Sequence, residues 1–113
     1  MSTRHTPGSW RVLEREDDKP YIRIRGTALG HRYKIANVIE AIYDGNPAVE
    51  RKETLANAVL IAAAPDLLAA LRKAVLALAH ICESDPKHAV MYGTDYLAVS
   101  DAIAKATNTS ETP

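Results

Sequence analysis

Asn57-Ala58-Val59-Leu60-Ile61-Ala62-Ala63-Ala64-Pro65-Asp66-Leu67-Leu68 decides the fold, together with the alanine- and leucine-rich run that continues to Cys82. From Leu67 to Cys82 thirteen of sixteen residues are Ala, Leu, Val, Ile or Cys, with only Arg72, Lys73 and His80 strongly polar. A helix resting on one side of a monomer keeps a full polar face, and one apolar nearly all round must be covered on several sides. Little else in 113 residues can cover it. A second copy of the chain is the expected partner. Proline disfavours helix at the preceding residue and tolerates the first turn, so Pro65 predicts a break and restart, with Asp66 well placed near the new N-terminus.

Working outward, the helical half begins near Val49 or Glu50, with Leu55, Val59, Leu60 and Ile61 at helical spacing before Pro65. After it, Leu67, Leu71, Val75, Leu78 and Cys82 form one stripe, ended by Ser84-Asp85-Pro86. After a loop, Thr94 or Asp95 is expected to cap a last helix through about Ala106. The N-terminal half reads differently. Trp10 to Leu13 is a short β-prone run, and Tyr21-Ile22-Arg23-Ile24-Arg25 alternates strictly, the period of a half-buried strand. Ile22 and Ile24 face the core in this reading, with Tyr21, Arg23 and Arg25 on the other face. A third strand lies within Arg32–Tyr43, with room for a bulge, closed by the turn residues Asp44-Gly45-Asn46-Pro47.

The expected fold is α+β: an N-terminal antiparallel meander of about three strands packed on two to three C-terminal helices. One domain spans 1–113, with an arm at 1–8, the sheet at 9–45, helices near 50–64, 66–83 and 95–106, and a disordered polar tail at 108–113. Lys plus Arg and Asp plus Glu are 14 each, which argues against a sequence-independent nucleic-acid binder. One cysteine makes no disulfide framework and fits a reducing compartment. Met1–Trp10 has no apolar signal region, and Leu67–Cys82 is too short and interrupted to span a bilayer.

No catalytic constellation is present. His5, His31, His80 and His88 show no metal-site pairing, and the glycines form no phosphate loop. Ser9, Ser84 and Ser100 lack a nucleophile context, so neither an enzyme nor a metal or other cofactor is expected. The candidate ligand-binding residues are Tyr21, Arg23, Arg25, Arg32, Lys34 and Asn57. Guanidinium groups grip phosphate with paired hydrogen bonds and aromatic rings stack on bases, which suits a small anionic nucleotide. The alternative is an ordinary solvent-facing sheet, with Glu14, Glu16 and Glu40 pairing these arginines. Asn57 sits among aliphatic residues, where a buried unbonded amide costs about 1–3 kcal/mol, so it is expected to bond to backbone, partner or ligand. Trp10 is expected in the core, and Thr6 offers a hydroxyl to the turn His5-Thr6-Pro7-Gly8.

The opening His5-Thr6-Pro7-Gly8-Ser9-Trp10 and the block Asn57–Leu68 together resemble a widespread set of small phage and prophage proteins. Their usual pattern is His-Thr-Pro-Gly-Pro-Trp, a variable strand region, then Ala-Asn-Ala-x-Leu-Ile-Ala-Ala-Ala-Pro-Glu/Asp-Leu-Leu. Ser9 stands where the pattern has Pro, and the match covers about residues 5–72. That set is similar in turn to the Thoeris anti-defence sponges, phage proteins with an N-terminal antiparallel sheet and C-terminal helices. These bind and hide cyclic ADP-ribose-type immune signals without cleaving them, and some hold cyclic oligonucleotides. The resemblance implies sequestration in the host bacterial cytoplasm by a homo-oligomer, a dimer or a trimer of dimers. An inhibitor docking on a host defence complex, as anti-CRISPR proteins do, and a non-enzymatic accessory of the phage particle remain the alternatives.

Overall fold

A computed structural model of the chain describes residues 4–28, 30, 33–40 and 45–108. Three strands are followed by three helices, an α+β arrangement: β1 (Trp10–Val12), β2 (Tyr21–Gly26), β3 (Lys34–Ile39), α1 (Pro47–Ala62), α2 (Ala64–Ser84) and α3 (Pro86–Thr107). The chain divides into two compact units, residues 1–65 and 66–113.

In the first unit the sheet order is β1-β2-β3, both pairs antiparallel, so the meander has β2 at its centre. The alternation of β2 holds residue by residue. Ile22, Ile24 and Gly26 are buried, whereas Tyr21, Arg23 and Arg25 are half-buried on the opposite face. Val12 and Ala36 flank Ile24 across the sheet, Val38 pairs with Ile22, and a register irregularity beside Arg25 brings Lys34 opposite it. That is the bulge for which the third strand left room.

Helix α1 covers the Ile22/Ile24 face. Its buried line is Glu50, Thr54, Ala58 and Ala62, spaced by four, and Ala58 and Ala62 join Ile22 and Ile24 in the core. The bulkier Leu55, Val59, Leu60 and Ile61 are exposed. Small residues carry the contact because a methyl side chain lets the helix backbone approach the isoleucines closely. Buried Thr54 donates its hydroxyl to the Glu50 carbonyl at 2.8 Å, which satisfies it locally. Asn57 lies on the exposed side of α1, so the burial cost expected for its amide does not arise.

The arm folds onto the sheet. Trp10 packs at the core margin and its indole N–H donates to the Thr6 carbonyl at 3.2 Å. Thr6 thus serves the turn through its carbonyl, where its hydroxyl was the expectation. Gly8 takes φ +84°, a conformation that side chains resist. Thr27 donates its hydroxyl and its backbone N–H to the Ser9 carbonyl, at 2.9 and 3.1 Å. At Gly26 an added Cβ would stand 3.1 Å from Tyr33 Cβ and 3.3 Å from Thr6 Cγ2, so the arm and the β3 approach close over it.

In the second unit α2 buries only Leu68 and α3 buries no residue. The break before α2 falls at Ala63, whose N–H reaches back to the Val59 and Leu60 carbonyls, and Pro65 sits in the first turn of the new helix. The last helix starts earlier than the expected Thr94 or Asp95. Asp85 caps it, accepting from Lys87 N at 2.8 Å, with Pro86 in first position. Asn46 and Pro47 open α1 in the same way, before the expected Val49 or Glu50. In both places the proline read as a stop is also the start, since its missing N–H is one a first turn leaves unused. Asn108, in the left-handed conformation, ends α3; the remainder of the expected tail, 109–113, lies outside the described residues, as do 1–3 of the arm and 41–44 of the expected third-strand run.

Two substitutions test this packing. Ile24→Ala removes the most buried large side chain and is expected to cost about 2–5 kcal/mol, read from a denaturant midpoint. Gly26→Val is expected to cost about 1–3 kcal/mol by overpacking against Tyr33 and Thr6.

Candidate ligand-binding face

The polar face of the sheet holds a concavity of about 420 Å³ lined by Lys19, Tyr21, Arg23, Arg25, Lys34 and Asn37, among others. Four of the six expected site residues therefore meet here: Tyr21, Arg23, Arg25 and Lys34. Arg32 lies outside the described residues, and Asn57 stands on α1, away from this face.

Register explains the gathering. Directly opposite residues of antiparallel strands share a face, with Cβ atoms about 4.5–5.5 Å apart. Arg25 pairs with Arg11 of β1 on one side and Lys34 of β3 on the other, a row of three cations across the sheet. Arg23 pairs with Asn37 and Tyr21 with Ile39 in the next rows. The sequence reading missed Arg11. Its signal was the run Trp10-Arg11-Val12, whose middle residue must point away from the core that its neighbours enter.

Acidic groups engage part of this surface. Glu16, in the β1–β2 connection, takes Lys19 Nζ on one carboxylate oxygen at 2.7 Å and Arg23 Nη2 on the other at 2.8 Å. The Lys19 hydrogen bond, helped by the charge of Arg23, holds the Glu16 carboxyl below its ordinary pKa. The mixed-charge reading thus holds for Glu16. Glu40 instead binds Arg15 through both oxygens, Arg15 Nη2 donating at 3.2 Å, with Arg51 4.0 Å away. Lys19, Arg23, Arg25 and Lys34 all line the groove, and Glu16 engages two of them, Lys19 and Arg23. Among the described residues no three His, Cys, Asp or Glu side chains gather as a metal site would require. No single described helix is long and apolar enough to cross a membrane; α1 and α2 reach that only when taken together across the break at Ala63.

The Arg15–Glu40 pair ties the segment after β1 to the end of β3, beneath the helix that carries Arg51. The Arg15 hydrogen bond, then the charges of Arg15 and Arg51, hold the Glu40 carboxyl below its ordinary value despite opposing burial. A depressed carboxyl contributes stability above its unfolded pKa, about 4.3 for Glu, and loses it as pH falls through the lower folded value. Glu40→Gln is expected to lower the melting temperature at pH 7, and the gap from wild type should close as pH falls below about 4.3.

A family model described as Salmonella phage P22 protein Y8K6 matches residues 1–110. No curated protein and no solved structure matches the chain. The match runs from the arm through the sheet and all three helices, so the whole architecture above is that of a small phage protein, and the chain belongs to the family of Salmonella phage P22 protein Y8K6.

Proposed function

We propose that this phage protein sequesters a phosphate-bearing cyclic nucleotide-type immune signal of its bacterial host, a cyclic ADP-ribose isomer or a cyclic oligonucleotide, without cleaving it. The observation that carries the reading is the row Arg11, Arg25 and Lys34. An oxyanion at this row would accept charge-assisted hydrogen bonds from guanidinium and ammonium groups that the strand register sets side by side. The groove's volume of about 420 Å³ falls within the range of small-molecule sites. Tyr21, half-buried at its edge, offers a ring on which a base stacks, a contact worth about 1–3 kcal/mol. Holding fits this surface better than cleaving. Its four cationic side chains only donate, and the carboxylate at its edge, Glu16, is committed to Lys19 and Arg23. The site of such binding is the host cytoplasm, where the signal is made.

Thermal unfolding against cyclic ADP-ribose, cyclic dinucleotides and inorganic pyrophosphate tests the proposal. A ligand at a hundred times its Kd adds about 2.7 kcal/mol per site, and the gain should shrink as salt screens the cations. Arg23→Ala and Arg25→Ala are each expected to weaken binding at least tenfold with little change in melting temperature. Glu16→Gln should strengthen it by releasing Lys19 and Arg23. A panel in which no phosphate-bearing compound shifts the transition contradicts the proposal.

A further inference from the structure

Strand β1 lies at one edge of the sheet, and its register says which backbone groups it turns outward. Leu13 N–H donates to the Arg23 carbonyl at 3.0 Å and Thr27 N–H donates to the Ser9 carbonyl at 3.1 Å. Bonded and unbonded pairs alternate along an antiparallel ladder, so Ser9, Arg11 and Leu13 face β2 with their backbone groups. Trp10 and Val12 therefore present N–H and C=O at the outer edge, the template on which a further strand pairs.

Alongside that edge the first unit has a concavity of about 400 Å³, lined by Val12 and Leu13 on the strand side and Leu55 on α1, among others. Leu55 is 47% exposed, so the cleft is open to an apolar group. Arg51 and Lys52 of α1 and the exposed Glu14 also line it, and Lys52 makes no ion pair among the described residues.

The edge and the cleft together specify an occupant. On an added strand, a residue directly opposite Val12 shares its face and enters the cleft, whereas one opposite Arg11 lies beside that guanidinium on the other face. We infer that an extended segment of another protein, alternating apolar and acidic residues, adds to β1 as a fourth strand. Its backbone bonds Trp10 and Val12, an apolar side chain fills the cleft against Leu55, and its carboxylates meet Arg11 and Lys52. Strand addition of this kind draws affinity from main-chain bonds and specificity from pockets for alternate side chains. A second copy of the chain fits less well. Laid antiparallel over the same three residues, it sets Arg11 against Arg11, and like charges directly opposite destabilise a sheet.

Titration of the full chain with a capped hexapeptide of alternating valine and glutamate tests the inference. The chain's single tryptophan, Trp10, stands in β1, so its emission reports the pairing. Binding should saturate, and the same peptide with lysine for glutamate should bind at least tenfold more weakly. Methylating alternate peptide nitrogens should abolish binding in the frame that faces β1 and spare it in the other. Leu55→Asp and Lys52→Glu should each weaken binding at least tenfold, whereas Leu60→Asp, exposed on α1 outside the cleft, should not. No saturable binding below millimolar peptide, or equal effects of Leu55→Asp and Leu60→Asp, overturns the inference. Equal binding of the two methylated peptides overturns it in favour of a small apolar acid, and self-association that Leu55→Asp abolishes overturns it in favour of a second copy.

Discussion

Ile22 and Ile24 can reach α1 only if Tyr21, Arg23 and Arg25 point away from it, because successive side chains of a strand leave on opposite faces. That constraint organises the first unit. It places the core and the basic groove on two sides of one six-residue strand, separated by the thickness of a backbone. It also makes register costly to change, since a slip by one residue would carry the arginines into the core and the isoleucines into water. The flanking strands inherit the division: Val12, Ala36 and Val38 follow the isoleucines, while Arg11, Lys34 and Asn37 follow the arginines.

The helices solve a different problem. Helix α1 meets the sheet through alanine and threonine and turns its leucine, valine and isoleucine outward. Helices α2 and α3 together bury one residue. Helices in proteins draw most of their stability from packing an apolar face, and these two leave much of theirs exposed. The molecule therefore separates its tasks. The sheet and α1 supply an internal core, and the second unit offers apolar surface outward. Family membership gives this arrangement a phage setting, and the cation row gives it a proposed ligand.

Much of the architecture was legible because period and punctuation are local. The alternation of Tyr21–Arg25 predicts both faces of β2, and Pro65 predicts the restart of a helix. Helix starts at Asn46-Pro47 and Asp85-Pro86 were less legible, since the same pair of residues ends one element and begins another. The buried stripe of α1 was hidden by size: bulky residues attract a core assignment, while Ala58 and Ala62 make the contact. At the candidate site, Tyr21, Arg23, Arg25 and Lys34 were readable from strand alternation, but Arg11 depends on the pairing register between β1 and β2. Asn57 was misplaced for the opposite reason, because its apolar neighbours in sequence do not surround it in space.

Native-state hydrogen exchange tests the central division most directly. If β2 and α1 form one core built on the strand's alternation, the amides of Ile22 and Ile24 should open with the same free energy as those of Ala58 and Ala62. That free energy should be independent of protein concentration and among the highest in the first unit. Amides of β2 that open at lower free energy than α1, as a separate event, would contradict the account.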